Sequence, residues 1–217
     1  MHNGEPGVRV RSIIRLLKKA YPDVRCELNF TSPLELLIAT ILSARCTDKQ
    51  VNKVTQKLFV KYKNAEAYAN ADLRELENDL KGLGMYKTKA RSIKACCQKL
   101  ADQHGGQVPR DMDELLKLNG VGRKTANVVL GNAYGIASGI VVDTHVARLA
   151  QRLGLTEQTD PEKIELDLQK IVSKDDWILF SHLLIWHGRR RCKAVRPDCL
   201  NCELAHLCPS CSNKPQE

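Results

Sequence analysis

The chain has 217 residues, 43% hydrophobic and 27% charged, which excludes collagen-like, mucin-like and broadly disordered classes. No apolar run approaches the roughly 18–20 residues of a membrane span. The opening Met1-His2-Asn3-Gly4-Glu5-Pro6 lacks the apolar stretch of a secretory signal, so a cytoplasmic protein without a membrane partner is expected. Lys and Arg outnumber Asp and Glu by 34 to 25, a net charge of +9 that points to a polyanionic partner, nucleic acid first.

In chain order the pattern predicts helix almost throughout. Ile13, Ile14, Leu16 and Leu17 alternate with Arg and Lys in an amphipathic helix over 8–21. Ser32-Pro33-Leu34-Glu35 is a helix start, with a Ser cap, Pro at the first position and Glu reaching back. The run 34–44 is apolar nearly all round, hence a buried central helix. Asp48 opens another helix, with Val51, Val54, Leu58 and Phe59 on one side. A short helix over 73–80 ends at Gly82 and Gly84, and a long one over 87–104 closes at Gly105-Gly106. Asp111 and Glu114 frame a capping box, with Leu115, Leu116 and Leu118 behind it. Helices follow over 123–134, from Asp143 or Thr144 to Leu153, from Asp160-Pro161 onward, and over 175–187. The one strand-like run, 139–142, is too short and isolated for a sheet. The first and last few residues read as frayed.

Asn119-Gly120-Val121-Gly122 joins two helices through a tight turn whose glycines allow positive φ and close backbone approach. The helix that follows offers its first amides and the positive end of its dipole, a phosphate site without base specificity, and Arg123 and Lys124 add charge. A nucleotide P-loop is disfavoured, because that motif needs four residues between the glycines and a preceding strand. Lys124, in the first helical turn, is a candidate amine nucleophile as well as a phosphate contact. Asp143 reads as an N-cap that also offers a carboxylate for proton transfer or for a developing positive charge. His145 is a candidate phosphate contact.

Of nine cysteines, five fall in the last 26 residues. Cys192, Cys199, Cys202 and Cys208 place four thiolates within 17 residues, with a single Cys-x-x-Cys pair flanked at unequal distances. Structural zinc usually takes two such pairs, and four soft ligands in one compact loop suit a cubane iron–sulfur cluster better, with zinc left open. Cys211 is left over, and Cys26, Cys46, Cys96 and Cys97 read as core or incidental thiols. Arg189, Arg190, Arg191, Lys193 and Arg196 crowd this loop as a possible second phosphate grip.

In combination, these motifs resemble the endonuclease III family of helix-hairpin-helix DNA glycosylases, over nearly the whole chain from Glu27-Leu28-Asn29-Phe30 to Cys208. Leu42-Ser43-Ala44 with Thr47-Asp48, the run from Gly120 to Asn127, Val142-Asp143-Thr144-His145 and the spaced cysteines carry the resemblance. It implies an all-α fold of two helical domains with the active site in a cleft between them: a six-helix helix-hairpin-helix domain at 27–136, and a second domain from 1–26 and 137–217 with a cluster loop at 192–208. It implies that Lys124 is the catalytic lysine, Asp143 the catalytic aspartate, and Cys192, Cys199, Cys202 and Cys208 the ligands of a 4Fe–4S cluster. Gly120, Val121, Gly122, Arg123 and His145 would contact DNA. The implied activity is that of a bifunctional glycosylase and abasic-site lyase, a monomer acting on oxidised pyrimidines in double-stranded DNA.

Two positions depart from the family pattern. Asn119 stands where proline is usual, and Arg45 where glutamine commonly fills the gap left by a flipped base, so an altered opposite-base preference is expected. Met85 matches an apolar wedge position. The alternatives are a monofunctional mismatch glycosylase, disfavoured by Lys124, a non-catalytic DNA-binding or redox-sensing iron–sulfur protein, and a zinc module.

Overall fold

The computed structural model describes residues 6–212, so the expected frayed ends lie outside the described residues. Every regular element among them is helical. In order they are α1 (Pro6–Ala20), α2 (Pro33–Leu42), α3 (Asp48–Lys61), α4 (Ala65–Asn70), α5 (Leu73–Asp79), α6 (Tyr86–His104), α7 (Met112–Leu116), α8 (Arg123–Tyr134), α9 (Thr144–Arg152), α10 (Pro161–Ile171), α11 (Trp177–Arg190) and α12 (Pro209–Ser212), with 3₁₀ turns at Lys174–Asp176 and Ala205–Leu207. The run 139–142 stays irregular, and no helix among the described residues is long and apolar enough to cross a membrane. The chain divides into two compact units, one from Met1–Arg25 with Gly139–Glu217, the other Cys26–Ser138.

The Cys26–Ser138 unit contains α2 to α8 and is built on α2, whose residues from Leu36 to Leu42 are all buried. Ser32 Oγ accepts from the Glu35 amide at 3.2 Å, while the Glu35 carboxylate reaches one residue further back than expected, to Thr31 N at 2.6 Å. Helix α2 packs against α3, α6 and α8, and α6 against α4 and α5. Helix α3 starts at Asp48 as expected, and Thr47 caps it through a reciprocal box with Gln50. Helix α4, capped by Asn64, spans six residues and escapes periodicity analysis because it completes under two turns. It still buries Tyr68.

The other unit packs Val10, Ile13, Ile14 and Leu17 of α1, one stripe at helical spacing, into a core shared with α9, α10 and α11. Helix α11 lies on α9 closely enough that a side chain at Gly188 would press on its neighbours. A Cβ there would stand 3.1 Å from His145 Cβ, 3.1 Å from Arg148 Nη2 and 3.2 Å from Leu149 Cδ1. Gly188→Ala is therefore expected to cost about 1–3 kcal/mol and to lower the melting temperature by several degrees. An unchanged melting curve would show that α9 yields without strain.

Candidate functional site

The helical hairpin forms from α7 and α8. Val121 N donates to Leu118 O at 3.2 Å and closes the turn, and the Val121 side chain is buried as its anchor. Only Gly120 takes a positive φ, +78°, with room for a Cβ limited to 3.1 Å by Ser92 Cβ. Gly122 is extended at φ −103°, and as N-cap of α8 it offers no side-chain acceptor to the first amides. Its contribution is therefore an uncovered helix start rather than a left-handed turn. Asn119, Gly120, Gly122 and Lys124 are exposed around this helix start, and Arg123 is half-buried.

Two further loops of the same unit hold non-glycine residues in the left-handed region: Arg45 at φ 55° and Met85 at φ 58°. Such backbone costs about 1–2 kcal/mol per residue and persists where surroundings enforce it. Enforcement comes from a clasp. Lys89, only 5% exposed, donates from Nζ to Cys46 Sγ at 3.0 Å, and a Cβ on Gly84 would lie 3.9 Å from that sulfur. Cys46 thus packs against the core of this unit, as expected for a core thiol, and accepts a hydrogen bond from α6. Both left-handed side chains are exposed, Met85 at 54%.

Asp143 belongs to the other unit, as N-cap of α9. Its Oδ1 accepts from His145 N at 2.8 Å and Val146 N at 2.9 Å, and its Oδ2 lies 3.2 Å from His145 Nδ1. The carboxylate is thereby held in one orientation with its side chain 12% exposed. His145 orients this carboxylate through Nδ1.

The cysteine loop closes on itself at the far end of α9. Cys192, Cys199, Cys202, Cys208 and Cys211 line one hollow of about 360 Å³, counting the solvent at its mouth. Arg152 donates from Nη1 to Cys192 Sγ at 3.3 Å and to Lys193 O at 2.8 Å, and from Nη2 to Ala194 O at 2.9 Å. Arg148 Nη2 donates to Gly188 O and Cys192 O, both at 3.1 Å. Burial, ahead of the neighbouring Glu203 and thiols, pushes the Cys202 thiol up to about 11, and burial also raises Cys208. Thiolates gathered this closely therefore need a cation to hold them ionised, and metal binding would release their protons.

This donor set fits a polynuclear cluster better than one zinc ion. Four thiolates around zinc at about 2.3 Å would stand roughly 3.8 Å apart. Among the described residues, the set of three metal-capable side chains whose ligand atoms all lie within 4.8 Å is His187, Cys202 and Glu203, not a trio of cysteines. Sequence reasoning missed His187. Its Nε2 lies 3.4 Å from Cys202 Sγ and its Nδ1 3.0 Å from Tyr21 Oη, and burial lowers its pKa to about 4. A lone His in an apolar helix carries no signal of such contacts. Two of the crowded arginines are engaged within the loop or beside it: Arg191 bonds Asp198 at 2.7 Å and Glu203 at 3.2 Å, and Arg190 stacks 3.5 Å from the Trp186 ring centre. Lys193 and Arg196 are exposed.

A family model described as the HhH-GPD superfamily of base excision DNA repair proteins matches residues 38–174. Endonuclease III of Synechocystis sp. is 52% identical over 202 residues, covering 93% of this chain and 92% of that protein. The chain belongs to the endonuclease III family. Its relative in Bacillus subtilis is 47% identical over 87% of this chain and 86% of its own length. Two solved structures, a non-covalent endonuclease III–DNA complex and a trapped endonuclease III–DNA covalent intermediate, each align with a TM-score of 0.90 and 46% identity. They cover 95% of this chain and 96% and 97% of their own. A thermostable thymine-DNA glycosylase, 23% identical with a TM-score of 0.85, shares the fold.

For this endonuclease III family member, the N-cap geometry separates two properties of Asp143. Asn in its place keeps an acceptor for both amides and removes the charge. Asp143→Asn is expected to melt within about 2 °C of the parent, whereas Asp143→Ala loses about 1 kcal/mol, seen as a drop of a few degrees. Equal melting of the two variants would mean that the cap does not stabilise α9.

Proposed function

We propose that the chain is a bifunctional DNA glycosylase and abasic-site lyase that removes oxidised pyrimidines from double-stranded DNA and nicks the strand by β-elimination. The observation that carries the reading is an exposed primary amine, Lys124, in the first turn of α8 immediately after the Gly120-Val121-Gly122 turn. Membership of the endonuclease III family, one of whose members forms a trapped covalent intermediate with DNA, supports an amine nucleophile.

The uncovered start of α8 suits a DNA phosphate, bound by its early amides and the helix dipole, with Gly120, Val121, Gly122 and Arg123 forming the turn. His145, Lys193 and Arg196 are proposed as further backbone contacts. Extruding a damaged pyrimidine costs a few kcal/mol, least where pairing is already weak. Arg45 and Met85 extend from neighbouring strained loops of the size and exposure needed to fill the vacated stack. Lys124 Nζ attacks C1′ of the sugar as the C1′–N bond breaks, and the base leaves with the bonding electrons. Asp143 supports the positive charge developing on the sugar or helps deprotonate the amine. The C1′–O4′ bond then breaks, O4′ takes up a proton, and the nitrogen lone pair forms an iminium at C1′ that acidifies the C2′ proton. Its removal breaks the C3′–O bond, the 3′ phosphate leaves, and water releases Lys124. A water nucleophile would free the base and stop there, so the lysine is what makes the enzyme a lyase.

Cys192, Cys199, Cys202 and Cys208 are the proposed ligands of a 4Fe–4S cluster, which supplies when bound a covalent tie across a loop with little regular structure of its own. None of the nine cysteines is paired in a disulfide, which suits a reducing compartment such as the cytoplasm, and the chemistry needs only a monomer.

Lys124→Ala is expected to bind DNA carrying an uncleavable abasic analogue within about threefold of the parent, since it loses a single phosphate-range charge, while nicking activity falls below detection. Nicking at the parental rate would overturn the assignment. Arg45→Gln is expected to change the relative excision rates of one lesion placed opposite each of the four bases, and an identical profile would remove Arg45 from base recognition.

A further inference from the structure

Two side chains of this chain stand against sulfurs of the cysteine loop. Arg152 is fixed by three hydrogen bonds, of which one runs from Nη1 to Cys192 Sγ at 3.3 Å while the others hold Lys193 O and Ala194 O. His187, 2% exposed, is wedged between Cys202 Sγ, 3.4 Å from Nε2, and Tyr21 Oη, 3.0 Å from Nδ1.

We infer, resting on the cluster reading, that Arg152 and His187 are positioning residues that place N–H···S hydrogen bonds on Cys192 and Cys202 and draw negative charge off these two ligand sulfurs. The direction of the second bond follows from the ligand. A metal-bound cysteine is a thiolate with no proton to give, so the shared proton at 3.4 Å belongs to Nε2. Nδ1 is then the acceptor, and Tyr21 donates its hydroxyl hydrogen to it. The opposite tautomer would aim Nδ1–H at Tyr21 and at Glu203 Oε2, 3.7 Å away, and leave two acceptors facing each other across the His187–Cys202 contact. Tyr21 comes from the end of α1, so a residue about 180 positions before Cys202 selects the proton's position. Two of the four ligand sulfurs, those of Cys192 and Cys202, thus receive N–H donors from these side chains, and hydrogen bonds to the sulfurs are one of the main controls on cluster potential.

The test uses the purified, iron-loaded full chain, with iron per chain measured first. Resonance Raman spectra of the Fe–S(Cys) stretches in H2O and D2O report the exchangeable N–H···S bonds, and a spectroelectrochemical titration reports the potential. The parent is expected to show a solvent isotope shift, reduced in His187→Phe and in Arg152→Met at full iron content, each with a more negative potential. His187→Gln, whose Nε2 donates at similar reach, is expected to restore the shift. Iron lost in His187→Phe but regained together with the shift in His187→Gln supports the same conclusion. A parental shift in either truncation at full iron, or loss of iron that Gln does not restore, overturns the inference. An iron-free parent prepared anaerobically would refute the cluster reading on which it rests.

Discussion

Helix α9 is held at both ends by side chains hydrogen-bonded to backbone. At its start the Asp143 carboxylate spends one oxygen on two amides and turns the other toward His145. At its end the Arg152 guanidinium spans three partners in the cysteine loop, and the Arg152 carbonyl accepts from Cys208 and Ser210. Between them Gly188 lets α11 lie against α9 with no side chain in the way. A nine-residue helix is marginal alone and draws its stability from such packing. The carboxylate and the cysteine loop therefore share one rigid element, and whatever orders the loop also steadies the acid.

The Cys26–Ser138 unit works by a different constraint. Its proposed site residues stand on turns, and three of these turns contain a positive φ: Gly120, Arg45 and Met85. At Gly120 the missing side chain removes the cost. At Arg45 and Met85 the cost is accepted beside the half-buried Lys89–Cys46 contact and the apolar core below. Strained backbone of this kind is a common mark of preorganised sites. The long arginine and the flexible methionine gain a fixed starting direction from it.

Much of this was legible in the residues themselves. The helix starts at Ser32 and Asp160 and the buried run of α2 follow from capping and apolar content alone. So does the cysteine loop, whose spacing brings four thiols to one hollow. What escaped the sequence depends on tertiary partners. Lys89 reads as one more surface lysine of a basic helix until Cys46 is seen beneath it. Arg191 reads as a phosphate contact until Asp198 and Glu203 claim its guanidinium. His187 acquires meaning only through Tyr21 and Cys202, which lie far from it in the chain or across a loop. The left-handed backbone at Arg45 has no local signal, because arginine does not favour it.

The central claim is a carbon–nitrogen bond between one side chain and deoxyribose. It is tested most directly by incubating the protein with abasic-site DNA, reducing with borohydride, and mapping the cross-linked peptide by mass spectrometry. The account predicts a single adduct at Lys124, in the peptide that begins α8. Linkage to any other residue, or strand cleavage with no reducible adduct, would contradict it.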